Sequence, residues 1–171
     1  MIFIKYILMF FIFLNSILLG ILYSKKYENR LKELEKINTI LNIFEAKVKF
    51  TCLSIKEIFE EVCNENKDNI GKLFGLAKEY MEEETSKVAW EKAIENKKEE
   101  MNLNKEDIEV LKTLGKMLGN TDVEGQVSQI ELTKSLINTQ IENAKIEKNK
   151  NSKLYKTLGA SIGLVIVIIL I

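Results

Sequence analysis

Two long apolar segments, one at each end of the 171-residue chain, constrain its fold more than any other feature. Residues 2–23 carry Lys5 as their only charge, and as a helix they would extend about 33 Å. Residues 154–171 carry only Lys156 and would extend about 27 Å. Because the hydrocarbon core of a bilayer is about 30 Å thick, we predict transmembrane helices at residues 1–23 and 154–171, flanking a helical domain at 24–153.

The first segment has a second interpretation, since a cleaved signal peptide is also apolar and N-terminal. Its apolar run is long for a signal peptide, and no A-x-A-like cleavage site lies near Leu22 and Tyr23. We therefore favour a retained span. The second segment is marginal in length, and crossing the bilayer requires the Lys156 side chain to snorkel toward the headgroups.

Basic side chains crowd the inner flank of each apolar segment: Lys25, Lys26 and Arg30 follow the first, and Lys145, Lys148, Lys150 and Lys153 precede the second. The positive-inside rule therefore places the central domain in the cytoplasm and both termini outside. That domain holds 23 basic and 25 acidic side chains, which gives no electrostatic case for binding nucleic acid.

The sequence of the central domain predicts an all-α fold. Apolar residues recur at steps of three and four, and the chain has no proline and no alternating strand pattern. Capping boxes at Ser54–Glu57, Asn104–Asp107 and Thr121–Glu124 mark three helix starts. We predict a bundle of about six helices between the two transmembrane helices, in which the first and last are long and antiparallel and the first can continue into its span.

Residues suited to catalysis are scarce. The chain has no histidine and no Gly-rich nucleotide loop, and Cys52 and Cys63 have no metal-ligand spacing. The acidic run at residues 82–84 is typical of a solvated helix face, and Trp90 of a core residue. We predict no catalytic, cofactor or metal site and no small-molecule substrate. A membrane enzyme using carboxylates or a cysteine is an alternative, which thiol-labelling rates would test.

Small residues recur four apart in each apolar segment, as Ser16 and Gly20 in the first and Gly159 and Gly163 in the second. In an antiparallel hairpin these steps lie at similar depths, so they are candidates for close packing of the two helices. Glycine is also simply frequent in membrane helices, which is the alternative explanation.

Gly115 interrupts an otherwise good helix, at a cost of about 0.5–1 kcal/mol relative to alanine. Close packing of helices or contact with a partner would explain it. Because helix ends often carry recognition surfaces, we take Gly115, Gly119, Asp122 and Gln126 as a candidate partner interface.

Several short motifs follow one another along the chain with specific spacing: Glu45-Ala46, Ala89-Trp90-Glu91, Leu114-Gly115-x-x-Leu118-Gly119-x-x-Asp122, Gln126 and Leu158-Gly159. Together with the chain length and the two end segments, they make essentially the whole chain resemble the stage III sporulation protein AB family of endospore-forming bacteria. One departure is Thr51-Cys52-Leu53, where that family is expected to have Thr-Pro-Leu.

The resemblance implies a component of the mother-cell complex in the outer forespore membrane, a channel or secretion-like apparatus. The family's cytoplasmic domain is similar to platform proteins of type II secretion and type IV pilus systems. Its implied partners are the cytoplasmic ATPase of the same complex and other membrane components of the channel. We therefore expect a non-catalytic scaffold that docks the ATPase to the membrane; a two-span sensor or signalling adaptor is the alternative.

Overall fold

Six helices account for most of the chain in the computed structural model, which describes residues 2–51, 53–116, 118–119 and 121–170. They are α1 (Ile2–Phe50), α2 (Ile55–Glu65), α3 (Asn69–Tyr80), α4 (Ser86–Lys97), α5 (Lys105–Gly115) and α6 (Val123–Leu170). The residues so described contain no strand, which confirms the all-α prediction. Cys52 lies outside the described residues.

The apolar end segments are not separate helices. Each is one end of a helix of nearly fifty residues, because α1 has 49 residues and α6 has 48. The chain divides into two compact units, and both long helices contribute to each. Residues 1–31 and 143–171 form unit 1, and residues 32–142 form unit 2.

In unit 1, α1 and α6 run antiparallel. Contacts pair higher residue numbers in α1 with lower ones in α6, from Ser16 with Gly159 to Ser24 with Ser152 and Arg30 with Glu147. The expected antiparallel arrangement of the long helices is therefore present in this unit.

In unit 2, the short helices pack in chain order, α2 on α3, α3 on α4 and α4 on α5. The predicted capping boxes of α2 and α5 are confirmed. Ser54 and Asn104 each accept the amide proton of the third helical residue, and the carboxylate of that residue accepts the amide proton of the cap residue. α2 continues to Glu65, two residues past the predicted end near Cys63.

The predicted cap of α6 was wrong by one residue. The helix begins at Val123, and Asp122 rather than Thr121 accepts the Gly125 amide proton, at 2.9 Å. Aspartate caps a helix as well as threonine does, so the motif T-D-V-E is compatible with either start.

Aromatic rings form the centre of unit 2. Phe59 is fully buried, and its ring centroid lies 5.5 Å from that of Phe44, 4.9 Å from Phe74 and 5.4 Å from Trp90. Trp90 is also fully buried, as predicted, and its Nε1 donates to the Leu111 carbonyl at 2.8 Å. Residues from α1, α2, α3 and α4 therefore share one apolar cluster.

Replacing the central ring tests this arrangement. We expect Phe59→Ala to lower the free energy of unfolding of unit 2 by about 3–5 kcal/mol, because a large buried ring leaves a cavity. Trp90 is the only tryptophan, so its fluorescence during denaturant unfolding of the full chain in detergent reports on this cluster.

Phe50 supplies the control, since its side chain is 81% exposed. Phe50→Ala should change stability by no more than about 0.5 kcal/mol. Equal losses in the two variants would contradict the assignment of Phe59 to the core.

Candidate functional site

The four small residues of the end segments lie in one contact within unit 1. The Ser16 hydroxyl donates to the Gly159 carbonyl oxygen at 2.6 Å. A Cβ atom on Gly20 would lie 2.6 Å from the Tyr155 carbonyl oxygen, and one on Gly159 would lie 2.8 Å from that of Ser16. At Gly163 a Cβ would lie 2.9 Å from the Ser16 Cβ. The two backbones therefore approach too closely for any larger residue at Gly20 or Gly159.

Polar pairs continue this contact along the helices. The Ser24 and Ser152 hydroxyl oxygens are 2.5 Å apart, and the Arg30 guanidinium donates to the Glu147 carboxylate at 2.8 Å. Arg30 is buried, and a buried guanidinium needs such a partner to offset the loss of hydration. Sequence reasoning missed these pairs, because residues more than 100 positions apart carry no local signal.

Most large apolar side chains of the end segments face outward. Phe3 is 84% exposed and Ile169 is 76% exposed, and many of their apolar neighbours are also exposed. The most apolar windows of α1 and α6 have mean hydropathies of 2.2 and 1.8. Two helices this long and this apolar, with their side chains uncovered, indicate membrane association.

Within unit 2, Gly115 is the last residue of α5 and is buried. A Cβ atom there would lie 2.7 Å from Trp90 Cδ1, closer than carbon atoms can approach. Packing against the indole ring therefore explains this glycine. Its own atoms are covered, so Gly115 itself offers no exposed surface to a partner.

The other three residues shape the α5–α6 junction, which we define as residues 115–126. Gly119 has a φ of +73°, the left-handed conformation expected for it, although α5 ends four residues earlier. Asp122 is exposed and caps α6. Gln126 is half-buried, and its Nε2 donates to the Thr121 carbonyl at 3.0 Å. Among the described residues of the junction, Gly119 and Asp122 are exposed to solvent.

Glu45, the first residue of the Glu45-Ala46 motif, makes an ion pair in unit 2. Its carboxylate accepts from the Lys134 ammonium at 2.6 Å, and both side chains are mostly covered. The hydrogen bond from Lys134 lowers the pKa of the Glu45 carboxyl. This pair joins α1 to α6 within the unit, and sequence reasoning did not identify Lys134 as the partner.

The acidic residues and the cysteine that were considered for catalysis contact other residues of the fold. Glu82 pairs with Lys56 at 2.6 Å, and Glu84 pairs with Lys92. Cys63 is half-buried, and Gly75 packs so closely that a Cβ there would lie 2.5 Å from its sulfur. In the described part of the chain, no three Cys, Asp or Glu side chains cluster in a way that could hold a metal ion.

Comparisons with known proteins agree on one family. A family model described as stage III sporulation protein AB matches residues 5–171. The stage III sporulation protein AB of Bacillus subtilis (strain 168) is 24% identical over 149 residues, which are 86% of this chain and 87% of that protein. A solved structure of stage III sporulation protein AB superposes with a TM-score of 0.67 at 19% identity, covering 71% of this chain and 98% of that one, and thus has the same fold.

Widening the helix contact tests the small residues of unit 1. We expect Gly159→Leu to separate α1 from α6, because close approach of membrane helices depends on small residues at the interface. The readout is disulfide formation between Ser24→Cys and Ser152→Cys, with the two native cysteines replaced by serine. Cross-linking should fall roughly fivefold or more.

Ser161→Leu, at an exposed position two residues along the same helix, is the matched control. It should leave cross-linking unchanged. If Gly159→Leu also leaves it unchanged, the two backbones do not meet as described.

Adding a single methyl group tests the contact between Gly115 and Trp90. Alanine favours a helix by about 0.5–1 kcal/mol over glycine, but overpacking against the indole costs about 1–3 kcal/mol, so Gly115→Ala should destabilise unit 2. Denaturant unfolding followed by Trp90 fluorescence measures the net change. Ser128→Ala, at an exposed position of α6, should stay within about 0.5 kcal/mol. A more stable Gly115→Ala protein would contradict the close contact.

Proposed function

We propose that this chain, which belongs to the stage III sporulation protein AB family, acts in sporulation as a non-catalytic, membrane-anchored scaffold that docks a cytoplasmic ATPase. One observation carries the proposal: α1 and α6 each contain both an uncovered apolar segment and a stretch of the helical unit 2. A domain attached to the bilayer through two helices can hold a bound partner at the membrane surface and resist its rotation.

Family membership supports a place in the mother-cell complex at the outer forespore membrane. The basic flanks at Lys25, Lys26, Lys150 and Lys153 support a cytoplasmic position for the central domain. Other membrane components of the channel would contact the outward-facing apolar side chains of the spans. The ATPase would contact unit 2.

The residue types of the chain support the non-catalytic part of the proposal. The chain has no histidine and no Gly-rich phosphate loop, so neither common acid–base catalysis nor nucleotide hydrolysis has its usual groups. Energy would therefore come from the ATPase. The scaffold would contribute position and the transmission of movement to the membrane.

We propose the α5–α6 junction as the ATPase-docking face. Gly119 and Asp122 are exposed there, on a backbone held by the capping bond of Asp122 and the hydrogen bond of Gln126 to Thr121. Gly115 and Trp90 support it from beneath. A rigid surface binds with little loss of conformational entropy, which favours recognition at such a site.

Reversing one charge at the junction tests docking. Asp122→Lys in the full chain, solubilised in detergent, should reduce copurification with the ATPase of the same sporulation complex by about tenfold, equivalent to about 1.4 kcal/mol of binding free energy. Asp68→Lys is the matched control. Asp68 also caps a helix by accepting a glycine amide proton at 2.9 Å, from Gly71 at the start of α3.

Both variants lose one helix cap, at a cost of about 1 kcal/mol each. Asp68→Lys also loses an exposed ion pair with Lys36, so the control is destabilised at least as much and a greater loss of binding by Asp122→Lys reports on the junction rather than on folding. Trp90 fluorescence confirms that each variant is folded. Equal losses in the two variants would exclude the junction as the docking face. A folded wild-type chain that does not copurify with the ATPase would overturn the docking proposal itself.

A further inference from the structure

Five residues of α6 line a surface cavity of about 300 Å³ within unit 1: Lys148, Asn149, Ser152, Lys153 and Lys156. Their spacings of one, three, one and three place them along one side of the helix. Three lysines, one asparagine and one serine therefore border the same open surface depression. We call these five residues the headgroup face.

The three lysines of the headgroup face are not neutralised by the chain. Among the residues that the structure describes, no carboxylate lies within 4 Å of the ammonium groups of Lys148, Lys153 or Lys156. The neighbouring acid of α6, Glu147, pairs with Arg30 instead.

Most lysines of unit 2 form ion pairs, although exposed ones such as Lys72 and Lys105 form none with the described residues. Lys47 pairs with Glu61, Lys112 with Glu109 and Lys134 with Glu45, at 2.5–2.9 Å. The chain has 25 acidic and 25 basic side chains, and the headgroup face gathers three cations with no carboxylate partner among the described residues. Repulsion among these cations would be relieved by an external anion.

The position of the headgroup face along α6 indicates where that anion comes from. The apolar segment begins at Leu154, whose side chain is exposed, as is that of Leu158. The Tyr155 ring stacks between those of Tyr23 and Tyr27, with centroids 5.8 Å and 5.9 Å away. Tyrosine clusters are typical of the membrane–water interface.

Residues 148–156 rise about 12 Å along the helix axis. The headgroup layer is about 5–8 Å thick in each leaflet. The headgroup face therefore extends from the edge of the hydrocarbon through the layer in which lipid phosphates lie.

We propose that the headgroup face binds the phosphate of an anionic phospholipid such as phosphatidylglycerol. This inference rests on the membrane anchoring proposed above. Lys153 and Lys156 would contact the phosphodiester, and Lys148 and Asn149 would contact the polar end of the headgroup. Basic pockets on membrane helices bind anionic headgroups in this way. A bound lipid would hold α6 at a defined depth, which compensates for the short second span.

The test uses the full chain in nanodiscs of equal parts phosphatidylglycerol and phosphatidylcholine, with the lipids that the protein retains counted by native mass spectrometry. Wild type should retain phosphatidylglycerol in about tenfold preference. The triple variant Lys148→Gln, Lys153→Gln, Lys156→Gln should lose that preference. The same change to arginine should keep it.

The matched control makes the same three-charge change outside the cavity, as Lys25→Gln, Lys26→Gln and Lys150→Gln. It should retain the preference within about twofold, because these lysines belong to the flanks but not to the headgroup face. Equal loss in both triple variants would overturn the proposal in favour of general attraction to the basic flanks. If the first triple variant does not fold, Lys153→Gln alone should still weaken the preference, and no change there would contradict the proposal.

Two further outcomes distinguish a free anion from a lipid headgroup, and failure of this inference from failure of the proposed membrane anchoring. Release of the lipid by excess inorganic phosphate would show that the site recognises a free anion and would overturn a lipid assignment. A chain that enters nanodiscs without any lipid preference contradicts this inference alone. A chain that does not enter them contradicts the membrane anchoring as well.

Discussion

The contact between the backbones of α1 and α6 at Gly20 and Gly159 determines how the rest of unit 1 is arranged. With no side chain at either position, the helices approach closely enough for Ser16 to donate directly to a carbonyl of the opposite helix. That contact defines the antiparallel register, and the same register brings Ser24 to Ser152 and Arg30 to Glu147. In an apolar medium, dispersion and such interhelical hydrogen bonds are what hold two helices together, because burial of apolar surface contributes little there.

Unit 2 depends on a different balance, since its large apolar side chains are buried in its interior and their burial drives its assembly. Its aromatic cluster is supplied by four helices, and Trp90 adds a hydrogen bond to the α5 backbone that a purely apolar side chain could not make. Gly115 is part of this packing, because only a residue without a side chain leaves room for the indole ring. The capping bonds of Ser54, Asn104 and Asp122 then define where the helices begin.

These features together support the proposal of a scaffold that positions other proteins. Membership of the stage III sporulation protein AB family assigns it to sporulation, and its apolar helices indicate membrane association. Glu82 forms an ion pair with Lys56, and Cys63 packs closely against Gly75. The proposed docking face and headgroup face divide the work between the two units, since one would hold a partner protein and the other would hold the lipid surface.

The amino-acid sequence by itself determined the all-α class, the two apolar helices and the capping boxes of α2 and α5, because helical periodicity, capping and hydropathy act over a few neighbouring residues. The order of its short motifs indicated the family. It also indicated that the small residues Ser16, Gly20, Gly159 and Gly163 could pack the two apolar helices against each other. Only the tertiary structure decided that Trp90 explains Gly115, that Glu45 pairs with Lys134, and that Lys148, Lys153 and Lys156 lack carboxylate partners in the described chain. Those outcomes depend on residues brought together from distant positions, and the relative placement of helices depends on packing that no local pattern encodes.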